Sequence, residues 1–367
     1  MNGVSLTAIG VAIAFFFALA GCAWLRAFSL RKNLLDHPNE RSLHSTPVPR
    51  LGGVAIALAT WLGLLAIHAI ERRGFGRLEF AWLVVSIPIA ALGLIDDLRS
   101  LNALPRLLLQ FAGASLFCWL AGIPHGIPLF ASSLIALPPW ASLAVWAFFI
   151  VAVLNIFNFM DGMDGLAGTQ ALGASAGIGA AFALAHQPAL AMLCAVLAGA
   201  SLGFLFQNFP PAKIFMGDAG STFLGYSFAA LAVAGADAAP SLPSPVFALA
   251  LAPFLLDGTY TLLRRALRGE AVWKAHRSHL YQRAVTAGRS HHDVLMAYSL
   301  WIAIAAAAAV CAARAGAQLM AALVVCLLAA FCAVLGWVHH LSKLSIQSDP
   351  DSRSQATSST SEAARST

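Results

Sequence analysis

Charge is what this sequence has least of. Of its 367 residues only 10% are Asp, Glu, Lys or Arg, while 59% are hydrophobic. A soluble domain carries about 25% charged residues, so this composition excludes an ordinary water-exposed fold. Cysteine is sparse as well: Cys22, Cys118, Cys194, Cys311, Cys326 and Cys332 all fall inside apolar stretches, and none has CxxC or His-paired spacing. That pattern excludes a zinc site or a disulfide framework and reads as six small buried hydrophobes. Positive charge is missing from Met1 to Ala20, which argues against reading Leu19-Ala20-Gly21-Cys22 as the cleavage box of a signal peptide. No internal repeat is present. The net charge of +6 resides in the segments between apolar runs, so it reports membrane orientation rather than nucleic-acid binding.

Apolar runs near bilayer-spanning length fill most of the chain. They predict eleven spans, at about 4–26, 51–70, 80–96, 105–123, 141–158, 165–185, 188–207, 222–237, 245–263, 294–313 and 316–338. The expected fold is an all-α integral membrane protein, a bundle of about eleven transmembrane helices with a cytoplasmic active-site cleft. One multi-span domain is expected over 1–345, followed by a Ser/Thr-rich tail, 346–367, that lacks apolar periodicity and is expected to be disordered and cytoplasmic.

Basic residues are distributed unevenly between alternate loops. One set of loops, with the tail, holds 18 of the 22 Lys and Arg; the other holds only Arg72, Arg73, Arg77 and Arg314. The positive-inside rule puts the first set in the cytoplasm, with the N-terminus outside. The segment Glu71–Glu79 violates the rule mildly. The same assignment gathers the polar, Gly-flanked segments onto one face: 36–53, Asp96–Asp97, 155–165, 208–221 and 276–283.

Three of those segments carry five carboxylates: Asp96, Asp97, Asp161, Asp164 and Asp218, with Lys213 the only cation among them. Carboxylates brought together resist ionisation unless a cation balances them. Oxygen ligands at helix ends suit Mg²⁺, which takes one or two carboxylates together with substrate phosphates. A metal-bound diphosphate is therefore the expected occupant. Two basic segments complement it, one holding Arg41, His44 and Arg50 before Gly52-Gly53, the other Lys274, His276, Arg277, His279 and Arg283. Arginine held by neighbouring Pro and Gly suits phosphate recognition through its fork geometry, and the two glycines allow close backbone approach.

In order along about 30–290, the chain has Arg41…Pro49-Arg50-x-Gly-Gly, Asp96–Asp97, NxxNxxDGxDGL at 155–166, NxxPAKxFMGDxGS at 208–221 and HRSHxYQR at 276–283. In these it resembles the polyprenyl-phosphate N-acetylhexosamine-1-phosphate transferases, which include the enzymes initiating O-antigen synthesis and the phospho-MurNAc-pentapeptide translocase. The resemblance implies transfer of an N-acetylhexosamine-1-phosphate from a UDP-sugar to undecaprenyl phosphate at the bacterial inner membrane. It implies Mg²⁺, with Mn²⁺ as a substitute, on Asp218, with Asp97 and Asp161 as further ligands. Asp96 and Asp97 would face the polyprenyl phosphate, and Asn158, Asp161, Gly162 and Asp164 the nucleotide diphosphate, with Phe215 stacked on uracil. Arg41, His44, Arg50, Lys213, Arg277 and Arg283 would bind substrate, and His276 and His279 would complete the catalytic set. A third histidine found in the translocase is replaced by Tyr281-Gln282-Arg283, which points to the O-antigen-initiating branch and leaves the translocase as the alternative.

If the loop is helical there, His276 and His279 share one face and would donate to the diphosphate; His291 and His292, outside the motif, are expected to be dispensable. The expected partners are polyprenyl phosphate, UDP-N-acetylhexosamine and membrane lipid, with no nucleic acid and with a homodimer left open. A secondary transporter, which needs binding groups near the bilayer midplane, fits poorly, because Asp257 is the only ionisable carboxylate close to a span interior.

Overall fold

A computed structural model describes residues 3–38, 43–44, 46–130, 133–239, 242–271 and 276–348. Long apolar segments satisfy their backbone as helices in a lipid environment, and helices account for most of the described residues. They are α1 (Gly3–Lys32), α2 (Gly52–Glu71), α3 (Arg77–Arg99), α4 (Ala103–Ala121), α5 (Pro139–Phe159), α6 (Leu166–Leu184) and α7 (Pro188–Asn208). After these come α8 (Gly217–Ala238), α9 (Pro245–Ala250), α10 (Ala252–Leu267), α11 (Leu280–Thr286), α12 (His291–Ala312) and α13 (Ala317–Ser348). Among the described residues nine helices are long and apolar enough to cross a membrane. The other two expected spans, 165–185 and 245–263, fall on α6 and on the pair α9–α10. The last span runs on to Ser348, and residues 349–367 of the expected tail lie outside the described residues.

The span expected at 245–263 is not one helix. It breaks at Leu251, between α9 and α10. Pro253 has no amide to give to the turn before it, and its ring crowds the preceding carbonyls, so the helix restarts there. Two short antiparallel strand pairs also interrupt the all-helical expectation. β1 (Leu35–Asp36) pairs with β2 (Val48–Pro49), and β3 (Gly126–Phe130) pairs with β4 (Ser133–Ala136) in a hairpin at the opposite end of the bundle.

At the centre stands α8, in which every residue from Ala219 to Gly235 is buried. A helix apolar on all sides belongs inside the bundle, and α2, α3 and α5 pack around it. Gly53 of α2 lies against Gly220 of α8 with no space for a side chain between them, as expected of the glycine pair. Polar side chains join neighbouring helices: Asn155 of α5 donates to Gln110 of α4 at 2.8 Å, and Gln170 of α6 donates to the carbonyl of Ala250 at 2.9 Å. The cysteines divide. Cys22, Cys118 and Cys194 are buried as expected, but Cys311, Cys326 and Cys332 on the last two helices are exposed.

Three of the four basic residues that stand at the far end are held locally. Arg77 donates through Nε to the carbonyl of Leu120 at 3.1 Å and through Nη2 to that of Ala121, closing the end of α4. Arg73 pairs with Glu71 and lies 3.6 Å from Glu79. Arg72 sits in the left-handed conformation that ends α2. Structural duties thus account for the violation of the positive-inside rule. Arg77→Ala should leave the last carbonyls of α4 unmatched and lower the unfolding temperature in detergent by a few degrees, whereas replacing exposed Arg314 should not. An unchanged melting profile for Arg77→Ala would show that the cap is idle.

Candidate active site

The expected carboxylates meet at one end of the bundle, and each is held by a different partner. Asp96 and Asp97 close α3, and both are buried. Asp97 reaches the start of α8, where Oδ1 accepts the Asp218 amide at 2.9 Å and Oδ2 accepts the Ala219 amide at 3.0 Å. A carboxylate on the free amides of a helix N-terminus is favoured both by hydrogen bonding and by the helix dipole. Gly217, with φ +74°, makes the approach possible; a Cβ there would lie 2.8 Å from an Asp97 oxygen. The FMGD element is therefore a cap held from another helix. Asp97, expected as a metal ligand, accepts a backbone amide on each oxygen and also borders the cavity.

Asp96 is matched by a cation that the motifs did not single out. Its Oδ1 accepts the Leu101 amide at 2.6 Å, and its Oδ2 pairs with Arg106, whose Nη1 also lies 3.5 Å from Oδ2 of Asp218. The other Asp218 oxygen accepts from Asn158 at 2.8 Å, and the same Asn158 amide donates to Ser221 at 2.9 Å. Asn158, at the end of α5, thus orients Asp218 rather than lining the cavity.

After α5 the chain turns through Asp161 and Asp164. Asp161 is half-buried; burial first, then the charges of Asp218 and Asp97, hold its carboxyl well above the usual carboxylate range. Asp164 differs. Burial opposes its ionisation, but the hydrogen bonds from His291 and from the Ala212 amide outweigh it and hold the group below the usual range. His291 Nδ1 lies 3.3 Å from Oδ2 of Asp164, and Ala212 N lies 3.0 Å away. Asn208 ties the two loops together, accepting from Gly165 N at 2.8 Å and donating to the Ile214 carbonyl at 2.9 Å.

The opposite wall comes from the segment around β1 and β2. The amide of Phe215 donates to the Pro49 carbonyl at 2.7 Å, and the Gly52 amide donates back to the Phe215 carbonyl at 2.9 Å. Phe215 is only half-buried, and the His44 ring meets it edge-on at 4.9 Å. Its face is not used up in the bundle. Asp36 anchors this wall, 3.7 Å from His44 Nε2 and 3.9 Å from Arg50 Nη1. Arg41 lies outside the described residues. Lys213 is exposed and stands apart from the cavity lining.

Between these walls lies a cavity of about 260 Å³. Five carboxylates border it (Asp36, Asp97, Asp161, Asp164 and Asp218), along with Arg50, His44, Phe215 and Gly162. So much negative charge at a low-dielectric wall calls for a cation. Among the described residues no three Asp, Glu, His or Cys side chains converge as a complete metal cage. The donor set fits Mg²⁺ in its substrate-bridging mode, one or two carboxylates completed by phosphate oxygens and water. Asp218 and Asp161 suit that part. Asp161 does so because burial and the charges of Asp218 and Asp97 oppose its own charge, which a cation would relieve.

The late histidine motif departs from expectation. The helix α11 starts at Leu280, after both histidines, so the expected shared helical face does not form. His279 caps that helix, buried, with Nδ1 3.5 Å from Asp257. The His276 ring lies 4.9 Å from it, tilted by 36°, and burial, then His279 and Arg265, push its imidazole down to about 4, so it is neutral at pH 7. Arg277 is exposed, and Arg283 donates to Ser342 of α13 at 3.4 Å. None of these four lines the cavity. His291, expected to be dispensable, does line it, as do Asp36 and Gln282. The available signal for His291 was its place at the start of a span on the site face; for Arg106 it was a lone cation ten residues after Asp96 in an apolar run.

Comparison with known proteins agrees with this constellation. The pattern of "Glycosyl transferase family 4" matches residues 80–236. A decaprenyl-phosphate N-acetylglucosaminephosphotransferase of Mycobacterium tuberculosis is 31% identical over 83% of this chain and 81% of its own length. A probable undecaprenyl-phosphate N-acetylglucosaminyl 1-phosphate transferase of Bacillus subtilis is 31% identical over 75% of the chain and 76% of its own. A phospho-N-acetylmuramoyl-pentapeptide-transferase of Picosynechococcus is 34% identical, but over only 57% of the chain and 59% of its own. With Asp97 of the DD pair capping the central helix, and a DGxDG loop and an FMGD turn around one cavity, this multi-pass membrane protein belongs to the family of polyprenyl-phosphate N-acetylhexosamine-1-phosphate transferases, glycosyl transferase family 4.

Proposed function

We propose that the protein transfers N-acetylglucosamine-1-phosphate from UDP-N-acetylglucosamine to undecaprenyl phosphate, the first step of a lipid-linked surface polysaccharide of the O-antigen type. The observation that carries this reading is the cavity itself, where a half-exposed aromatic ring, an arginine and a cluster of carboxylates face one another at one end of a membrane bundle. Phe215 offers a face to the uracil, Arg50 and His44 offer donors to the diphosphate, and Asp164 and Gly162 border the sugar-nucleotide side. The relatives matched over most of their length have names that specify N-acetylglucosamine, and the pentapeptide transferases match over less.

In the reaction an oxygen of the acceptor phosphate forms a bond to the β-phosphorus of the donor. The bond from that phosphorus to the bridging oxygen breaks, and UMP leaves with the electron pair. A phosphomonoester has a second pKa near 6, so the acceptor is already largely ionised at neutral pH and needs no strong base. The protein's task is to bring two anions together. Mg²⁺ held by Asp218 and Asp161 would neutralise charge on the diphosphate as it builds on the leaving group. Asn158 and Arg106 keep Asp218 aimed, and Asp97 holds the turn that presents it. The cavity opens at the end of the bundle where the basic loops cluster, which corresponds to the cytoplasmic face of the inner membrane, with the N-terminus outside.

Purified protein supplied with undecaprenyl phosphate should release UMP from UDP-N-acetylglucosamine in a Mg²⁺-dependent way. Turnover of UDP-MurNAc-pentapeptide in its place would transfer the assignment to the translocase. A second contrast separates metal from nucleotide. Asp218→Asn should lose turnover at least 100-fold at ordinary Mg²⁺, on the scale seen when an electrostatic stabiliser is removed. Phe215→Ala should chiefly raise the donor KM, by about 5- to 100-fold for a lost stacking contact. Near-normal turnover of Asp218→Asn would remove it from the metal site. Orientation can be read by thiol labelling in a cysteine-free background. In intact cells Ser100→Cys should be shielded from an impermeant reagent and Arg72→Cys should react; the reverse pattern would invert the topology.

A further inference from the structure

Asp257 has no part in the cavity, yet it gathers more hydrogen bonds than any carboxylate that does. It is fully buried in α10. Oδ1 accepts the Leu280 amide at 2.9 Å and the Thr261 hydroxyl at 3.2 Å, with His279 Nδ1 at 3.5 Å. Oδ2 accepts the Tyr298 hydroxyl at 2.6 Å and the Tyr281 amide at 3.4 Å. A buried carboxylate costs free energy unless it is fully matched, and removing one partner leaves the rest uncompensated. A group kept under those terms fixes the geometry of whatever surrounds it.

What surrounds it is the underside of the DGMDG loop. The amides of Leu280 and Tyr281 belong to the first turn of α11, so Asp257 holds that helix by its N-terminus. The next two side chains point at the loop. Tyr281 donates to the Phe159 carbonyl at 3.5 Å, and its hydroxyl packs so tightly on Gly162 that a Cβ there would lie 2.3 Å away. Gln282 accepts the His279 amide at 3.2 Å, sits beside Gly162 and borders the cavity. The third tie runs through α12. Tyr298 lies seven residues, about two turns, beyond His291 and so on the same helix face. The hydroxyl that Asp257 accepts therefore fixes the helix that delivers His291 to Asp164.

We infer that Asp257 is a positioning residue for the donor side of the site, clamping α11 and α12 so that Tyr281, Gln282 and His291 hold the Asp161–Asp164 loop in its binding geometry. The inference rests on reading the cavity as the UDP-sugar site. It assigns the late HRSHxYQR segment a mechanical task, with His279 as helix cap and Asp257 as its anchor. The acceptor side, where Asp96 and Arg106 lie on α3 and α4, has no tie to Asp257 and should not respond to its loss.

The test is steady-state kinetics of full-length Asp257→Asn and Tyr298→Phe in detergent, varying each substrate separately. Asparagine keeps one acceptor oxygen for Leu280 but puts an NH2 group, itself a donor, where the Tyr298 hydroxyl and the Tyr281 amide now converge. Misplacing a binding loop by a fraction of an ångström should raise the UDP-N-acetylglucosamine KM about tenfold or more. The KM for undecaprenyl phosphate should stay within about twofold, because the acceptor side is built on other helices. Tyr298→Phe, nearly isosteric, should raise the same KM by a smaller factor. A residue that only stabilises the fold would lower the yield or melting temperature and leave both KM values of the folded fraction unchanged, and that result overturns the inference. So does an equal rise in both KM values. If Asp257→Asn does not fold, Tyr298→Phe decides alone: a donor-selective rise supports the clamp, and an unchanged donor KM removes it. A wild-type protein that transfers nothing from UDP-N-acetylglucosamine would refute the functional reading itself. An active wild type with unmoved variants refutes only the positioning role.

Discussion

A carboxylate drawn out of water must be matched, and the contact between Asp97 and the start of α8 is the match on which the rest of the site depends. Two amides that no helix can satisfy internally meet the two oxygens of Asp97. The same contact aligns the end of α3 with the start of the most buried helix of the bundle. Because α8 is packed on all sides from Ala219 onward, its first turn cannot shift without disturbing α2, α3 and α5. Asp218, next to Gly217, therefore inherits a fixed position. Asn158 and Arg106 then need only set the direction of its side chain.

The remaining acids sort by what faces them. Asp96 has a guanidinium and an amide, Asp164 an imidazole and an amide, and Asp36 stands within 4 Å of His44 and Arg50. Asp161 meets mainly burial and like charge, and this raises its affinity for a proton. An array in which, among the described residues, most carboxylates have resident partners and one meets like charge is suited to a cation that arrives with its substrate. Mg²⁺, which keeps several ligands from water and phosphate, makes few demands on the protein. Such a mode of binding would not require a complete cage of protein ligands.

The helical bundle was legible because length and composition alone decide whether a segment can cross a bilayer, and nearly all of this chain is such segments. The break at Leu251 was missed because a proline in an apolar run does not by itself say whether the helix kinks or restarts. The acid motifs announced a site through their position at span ends, and Asp161, Asp164, Asp218 and Phe215 do border one cavity. Two kinds of residue have surroundings that their spacing in the sequence did not announce. Asp97 and His279 looked chemical but bind backbone amides or cap a helix, and His291 and Arg106 looked incidental but pair with site carboxylates. Which donor a carboxylate meets is a tertiary fact: Arg106 is ten residues from Asp96 along the chain, while His291 is far from Asp164 and reaches it only because α12 returns to the same end.

The charge pattern also bears on whether these helices move ions or solutes. A transport pathway needs ionisable groups inside the bundle that can change partners as the protein alternates. Asp257 was the one carboxylate near a span interior that could have served. It is closed in by two backbone amides, two hydroxyls and a histidine, all of them local to α10, α11 and α12. A group so matched loses all of those contacts if it moves, so it resists exchange. At the other end of the bundle His68 and Glu79 face each other at 3.3 Å, with Arg73 beside them. They hold α2 to α3 where the chain turns, away from the middle of either helix. Among the described residues the cavity-lining carboxylates gather at the end where the Asp161–Asp164 loop and the FMGD turn meet. This is what is required of an enzyme whose lipid acceptor stays in the membrane and whose donor comes from water.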